Sequence, residues 1–304
     1  MKAGESIETL RCRINLAAQY IAEGKRNEAL SILAETQASL GGFADNALEL
    51  AAVYHHLAVL RMADGRYDEA ESLIKTAVQA REEALGDCDV LVAQSMVVWG
   101  HIYCMRGGPL LEARRRYEYA LQILENAYGP DHVNVAALLV FIGSLNIQYE
   151  NIHRVRKYDD PAELFKRALA IYYRAYGQEH VNVARVLSKL AQIYDWQANY
   201  ERSGPIFERV LEIFEKELGP DHPEVAFAKR LQAASFKKQG RFAEAEPLYN
   251  NALSIYERAG RDPGLEMIQC LHEYANLLCR TNRQEAADKI EARAAAIEQS
   301  LAKP

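Results

Sequence analysis

Along this chain apolar residues recur three and four apart, the spacing that places side chains on one face of a helix. Leu187, Leu190, Ala191, Ile193 and Tyr194 show it well. Strand signals are essentially absent, so the pattern predicts helices throughout. One phrase punctuates the helical stretches. It reads GDCDVLVA from Gly86, GPDHVNVA from Gly129, GQEHVNVA from Gly177 and GPDHPEVA from Gly219, with a decayed copy, GRDPGLEM, from Gly260. The steps between these glycines are 43, 48, 42 and 41 residues. A second phrase lies between the copies: GKRNEALSIL from Gly24, GRYDEAESL from Gly65, GRFAEAEPLYNNAL from Gly240 and NRQEAADKI from Asn282. Two interleaved phrases at one period define a structural repeat.

Each phrase has a physical meaning. A glycine after an apolar, tyrosine-rich stretch suits the position just beyond a helix, where the backbone turns left-handed. Pro-Asp-His then makes a turn, and the Asp is expected to cap the first amides of the next helix. In the second phrase a Gly or polar residue makes a tight turn, and Glu-Ala opens a second helix. Each repeat is therefore expected to be two antiparallel helices. The chain divides into seven units, about 5–41, 42–86, 87–129, 130–177, 178–219, 220–260 and 261–301, expected to form one domain over 1–304. The longest step falls in the fourth unit, where Asn151–Asp160 adds residues between the helices. With His153, Arg154, Arg156, Lys157, Asp159 and Asp160, this insertion reads equally as a neutral extension or as a secondary contact loop.

The small and aromatic positions are as regular as the turns. Ala191 in one first helix is followed by Ser203, Phe207 and Val210 in the second; the sixth unit has Ala233, Ala245, Tyr249 and Ala252; the second has Ala58, Ala70, Ile74 and Ala77. In the third, Trp99, Gly100 and Tyr103 precede Ala113, Tyr117 and Ala120. This alternation resembles the tetratricopeptide repeat. The repeat length, GPDHPEVA and GRFAEAEPLY resemble the kinesin light chain variety, widely seen in bacterial proteins. The resemblance implies an all-α, right-handed superhelical solenoid of about seven helix-turn-helix repeats of roughly 42 residues. It also implies that the first helices line a concave, peptide-binding face.

There is a departure. The family's first helices carry an Asn-Asn pair that clamps a peptide backbone. The equivalent places here hold Ile14-Asn15, His55-His56, Val97-Val98, Val140-Phe141, Ser188-Lys189, Arg230-Leu231 and His272-Glu273. Only Asn15 survives, and the heptad coiled coil of kinesin light chains is lacking, so cargo function does not transfer. Carried onto the first helices, the implied groove is Asn15 with Ile14, then His55, Val59, Met62, Val97, His101, Met105, Val140, Phe141 and Ile147 in the N-terminal half. In the C-terminal half it is Arg185, Lys189, Trp196, Arg230, Lys237, Lys238, His272 and Arg280. One end is apolar and the other basic. The expected partner is another protein, contributing an extended or helical segment with an apolar anchor and an acidic stretch or C-terminal carboxylate. Arg and Trp are frequent hot-spot residues.

Composition narrows this further. The 304 residues are 49% apolar and 26% charged with a net charge of −6, and no long block is basic, which argues against a nucleic-acid partner. Cys12, Cys88, Cys104, Cys270 and Cys279 are odd in number and irregularly spaced, as free thiols in a reducing compartment are. The N-terminal MKAGESIETL lacks an apolar core, so no signal peptide is expected, and no apolar run approaches the roughly 18 residues of a membrane helix. A soluble cytoplasmic protein without membrane contact follows. No nucleotide, hydrolase or zinc motif occurs, and no cofactor or enzymatic activity is expected. His55, His56 and His101 lie on neighbouring first helices but have no carboxylate or thiolate assembled around them for a metal. Cys104 with His101 lacks an orienting third group. His132, His180 and His222 recur at the repeat period, which points to packing or turns. The expected function is a protein-interaction scaffold. Alternatives are a peptide- or ligand-sensing regulator and a homo-oligomer assembled through terminal repeats. For the last, Ala294, Ala295, Ala296 and Ile297 offer an apolar face, unless Glu291, Arg293 and Glu298 make that helix its own cap.

Overall fold

The computed structural model describes residues 6–41, 46–153, 158–259 and 264–301. Among the described residues there are 14 helices and no strands. They run in pairs: α1 (Ile7–Ala22) and α2 (Arg26–Leu40), α3 (Ala47–Ala63) and α4 (Tyr67–Leu85), α5 (Val90–Met105) and α6 (Leu110–Tyr128), α7 (Val133–His153) and α8 (Pro161–Tyr176). Then follow α9 (Val181–Trp196) and α10 (Tyr200–Leu218), α11 (Pro223–Lys238) and α12 (Phe242–Arg258), α13 (Leu265–Arg280) and α14 (Gln284–Leu301). Residues 260–263, the first half of the phrase at Gly260, and Arg154, Arg156 and Lys157 of the insertion lie outside the described residues.

The turn phrase works as its chemistry suggests, with one correction. Gly86, Gly129, Gly177 and Gly219 have φ of +80° to +86°, which an L side chain rarely adopts. The residue that caps the next helix is not the Asp of Pro-Asp-His but the His that follows. Nδ1 of His132, His180 and His222 accepts from the amides of Asn134, Asn182 and Glu224 at 3.2, 3.1 and 3.2 Å. Where the phrase reads GDCD, Asp89 takes that place and accepts from Leu91 N at 2.7 Å. The reason is backbone geometry: the turn leaves this residue extended, φ −76° and ψ 145° at His180, as an N-cap must be. Tyr128 and Tyr176 stack on His132 and His180 at ring-centroid distances of 4.4 and 4.2 Å, fastening each cap to the preceding helix.

The small residues let paired helices approach. Ala58, Ala70 and Ala77, and likewise Ala233, Ala245 and Ala252, are wholly buried. A Cβ on Gly100 would collide with the Tyr117 ring, which fills the space instead. The chain forms two compact units, Met1–Leu164 and Phe165–Pro304. Within the first, α1, α3 and α5 touch in sequence; within the second, α9, α11 and α13 do. Second helices pack on their own first helix and on the next one, as α4 does on α3 and α5. Each unit therefore presents a row of first helices.

Two details qualify the sequence expectations. Val133–Ile152 in α7 is long and apolar enough by composition to cross a membrane, so one helix among the described residues does meet that measure. Its Val135, Leu138, Leu139, Ile142 and Leu145 are buried in the repeat and its Asn146 is wholly buried, as befits a core helix. The described end of the insertion packs back within the first unit. The Arg114 guanidinium lies 3.8 Å over the Tyr158 ring, and Asn146 Nδ2 donates to the Asp159 carbonyl at 3.1 Å.

Candidate functional site

On the row α3, α5 and α7 the geometry gathers part of the anticipated set. His55, Val97 and Phe141 line one cavity of about 260 Å³, together with Val90, Gln94, Val98, Leu124, Asn134, Ala137 and Leu138. Sequence reasoning missed these seven. Most continue the same helical stripe: Val90, Gln94 and Val97 on α5, and Asn134, Ala137 and Phe141 on α7, recur three and four apart. Extending the stripe toward the helix N-termini finds them. Leu124 comes from a second helix and carries no such signal. His101 meets Phe141 edge-on at 4.5 Å and Tyr117 at 5.5 Å, while Tyr117 and Phe141 stack at 6.1 Å. Met105 is 61% exposed and Phe141 38%. Val59, Met62, Val140 and Ile147 are half-buried outside this cavity, Asn15 is exposed on α1, and Ile14 is buried.

The imidazoles of this face are held toward their neutral form. Burial, then the Arg81 charge and His56, hold His55 well below the ordinary imidazole range. Burial and Arg81 push His56 down to about 4, and burial alone pushes His101 to about 4. Imidazoles held neutral on an apolar wall add hydrogen-bonding capacity without charge. Among the described residues no three His, Cys, Asp or Glu side chains gather as metal ligands do. Burial raises the Cys104 thiol, whose sulfur lies 3.7 Å from the Tyr117 hydroxyl, so it is not an activated nucleophile.

The row α9, α11 and α13 is built differently. Each cation named from the sequence is there, but carboxylates are set against several of them. Arg185 pairs with Glu224 at 2.9 Å, and Lys238 with Asp195 at 2.5 Å. Arg230 is 3% exposed and bridges α11 to α13 through Glu273 at 2.7 Å and Glu266 at 3.2 Å, so it is an internal tie and not a solvent-facing group. His272 lies between Glu291 and Glu298 at 2.8 and 3.2 Å, and its hydrogen bond to Glu298, with that to Glu291, raises its pKa. Three cations remain without a carboxylate within 4 Å among the described residues: Lys189, Lys237 and Arg280. Lys237 donates to the Glu273 carbonyl at 3.2 Å; Arg280 donates to the Lys237 carbonyl at 3.3 Å and lies 4.9 Å over Phe242. Burial lowers the pKa of both lysines, opposed by Glu266 and Glu224 at Lys189 and by Glu273 at Lys237. Trp196, at the end of α9, is 53% exposed. The carboxylates Glu224, Glu266 and Glu273 are what the sequence argument left out. They sit on first helices too, Glu224 and Glu266 at helix starts and Glu273 next to His272.

In α14, Ala294 is buried, Glu291 and Glu298 hold His272, and Arg293 pairs with Glu257.

Tetratricopeptide repeat family models match residues 182–258 and 228–300, and a second model of the same description matches 50–87. None of the curated proteins matches the chain. Among solved structures, the apo form of RapI is 14% identical over 97% of this chain and 99% of its own, with a TM-score of 0.73. NprR in complex with its cognate peptide NprX is 13% identical over 96% and 79%, with a TM-score of 0.60. A Podosopora anserina protein of kinesin light chain type, with nearly identical tetratricopeptide-like repeats, is 19% identical over 71% and 98%, with a TM-score of 0.57. These likenesses are of fold.

Proposed function

Because this chain belongs to the tetratricopeptide repeat family, we propose that it is a non-enzymatic scaffold that holds a peptide segment of a partner protein on its first-helix rows. The observation that carries this reading is the cavity lined by His55, Val97 and Phe141. It is large enough for one aliphatic or aromatic side chain, its walls are mostly apolar, and burial holds its one histidine, His55, toward the neutral form, so an apolar anchor enters without desolvating a charge. NprR, a protein of similar fold, is known with a cognate peptide bound, which supports a peptide ligand as the class. Acidic character in the partner is the finer part of the proposal. Lys189, Lys237 and Arg280 support it, since none of them has a carboxylate within 4 Å among the described residues. We further read the seven repeats as one array and place the protein in a reducing cytoplasm, which the free cysteines support.

The test is selection of peptides from a random phage-displayed library on the full chain and on Val97→Trp, which fills the cavity. The wild type is expected to enrich a family of peptides sharing an apolar anchor, and synthetic copies at about 100 times their Kd should stabilise it by about 2.7 kcal/mol. Val97→Trp should keep its Tm and lose the enrichment. Equal enrichment on both proteins, or none on the wild type, sinks the reading.

A further inference from the structure

Behind the cavity of the first unit lies a polar relay that the repeat pattern does not call for. Arg81 on α4 is 4% exposed, and Ser95 on α5 is wholly buried. At the same offset from the repeat glycine as Arg81, other units carry Leu124, Tyr172 and Phe214; at the offset of Ser95 they carry Leu138, Val186 and Ala228. All six are buried apolar residues. Two adjacent core positions have thus turned polar together, next to His55, where the family has asparagine.

The hydrogen bonds orient the relay. Arg81 Nη1 donates to the Leu91 carbonyl and to Ser95 Oγ, both at 2.7 Å. Ser95 Oγ is 3.2 Å from His55 Nδ1. A guanidinium only donates, so Ser95 accepts from Arg81 and must place its own proton elsewhere. Among the described residues its one remaining partner is His55 Nδ1. A wholly buried hydroxyl keeps its hydrogen bonds, so Nδ1 is the acceptor and the ring proton is on Nε2. Nothing in the described chain accepts from that Nε2–H, and His55 lines the cavity. Burial and the Arg81 charge oppose a second proton on the ring.

We propose that His55 is the polar recognition element of this cavity, fixed as an Nε2–H donor by Ser95 and Arg81, and that the cavity takes an apolar side chain together with an adjoining uncharged carbonyl of a partner peptide. This rests on the cavity being a receptor for a partner's side chain. The chemistry of the walls selects the occupant. No acid lines the cavity, and Arg81, within about 6 Å of the His55 ring through Ser95, has no carboxylate within 4 Å among the described residues, Asp89 acting on it only from farther away, so a lysine or arginine is repelled. A carboxylate is attracted by Arg81, but it would shed its water against donors that are all neutral, the imidazole and the side chains of Gln94 and Asn134. A carbonyl is satisfied by one oriented N–H. His55 touches the ligand; Ser95 and Arg81 act through it as positioning residues.

The experiment uses nitrogen-15 histidine NMR of the full chain at pH 7 with three probes: acetyl-leucine N-methylamide, acetyl-leucine and leucine N-methylamide, which are neutral, anionic and cationic. Without probe, His55 should show the neutral ring pattern with the proton on Nε2; a proton on Nδ1 overturns the proposal. The neutral probe should shift its signals saturably, and the two charged probes should bind at least about five-fold more weakly, the order set by one hydrogen bond. An anionic probe that binds as tightly as the neutral one also overturns it. Ser95→Ala, a change that Ala228 shows the repeat accommodates, should keep its Tm, release the tautomer and reduce the neutral-probe preference. If tautomer and preference both survive in Ser95→Ala, the relay is only structural and the proposal falls. His55→Gln, which retains an N–H donor, should keep more neutral-probe affinity than His55→Leu; equal loss in both counts against it. Val97→Trp separates the two readings. It should abolish binding of every probe, and if binding persists, or if the wild type binds none, the cavity itself is not a receptor.

Discussion

In the first unit, residues on α3, α5 and α7 meet through rings and aliphatic groups; in the second, residues on α9, α11 and α13 meet through charges. His101 sits edge-on to Phe141 in one, while Arg230 is clamped by Glu266 and Glu273 in the other. His55 and His272 occupy the same place in their repeats and have opposite fates. Burial beside Arg81 holds His55 well below its ordinary pKa, whereas two glutamates raise that of His272. One helical register on one kind of scaffold therefore yields either a neutral, cavity-bearing face or a ladder of ion pairs. The change comes from which side chains the paired helix and the neighbouring helices set against each position. Net charge over the whole chain describes neither face.

The largest expected effect of this difference is with acid. The histidines of the first unit are neutral when folded and free to protonate when unfolded. Below an unfolded pKa of about 6.5 the unfolded state binds more protons, so stability present above that value is lost as pH falls toward the depressed folded pKa. For His56 and His101, each pushed to about 4, the loss between pH 7 and pH 5 is on the order of 2 kcal/mol apiece, with His55 adding to it. Urea denaturation at the two pH values should show it, and His101→Leu should remove about half of the slope left by this pair. Hydrogen exchange should locate the weakening in α3 and α5 and leave α11 and α13 protected. If α11 and α13 open first instead, the contrast between the units is wrong.

Next in size is the buried ion pair of the second unit. Glu273→Gln strips Arg230 of its 2.7 Å partner and leaves a buried guanidinium with only the more exposed Glu266. Breaking a buried pair from one side costs about 3–5 kcal/mol, while replacing the buried charge with an apolar side chain of similar size is often neutral. Arg230→Met should accordingly be far milder than Glu273→Gln by chemical denaturation. Equal losses would mean that the pair acts by packing and not by charge.

These contrasts were unevenly legible in the sequence. The helix pairs were written in the GPDHPEVA and GRFAEAEPLY phrases, because turn glycines and small crossing residues act locally and recur at one period. Val97 and Phe141 followed from the first-helix register, and the rest of their stripe was there to be read. The relay was harder. Arg81 stands in a second helix and Ser95 inside the core, and only comparison with Leu124 and Leu138 shows either to be out of pattern. The carboxylates facing Arg185 and Arg230, Glu224 and Glu273, come from the next first helix and meet them only when repeats stack, whereas Glu298 meets His272 when α14 folds back on α13. Counting cations along one helix at a time cannot reveal that pairing. The His caps were missed because Asp is the commoner N-cap, and only the backbone at His180 and His222 shows which residue stands in the extended position.

The smallest predicted effect sharpens the comparison by its sign. His272 is 44% exposed at its side chain, so its bonds to Glu291 and Glu298 are screened by solvent and contribute under about 1 kcal/mol. Because its folded pKa is raised, that contribution is fully present below the unfolded pKa of about 6.5 and is lost as pH rises through the folded value. The first unit loses stability on acidification, whereas this contact gains. His272→Gln should therefore change stability little at pH 8 and slightly lower it at pH 6, measured by chemical denaturation, with α13 and α14 showing faster hydrogen exchange only at the lower value. A variant that is equally destabilised at both would make the contact an uncharged hydrogen bond. The opposition between a histidine whose proton burial disfavours and one whose proton acids favour would then rest on the first unit alone.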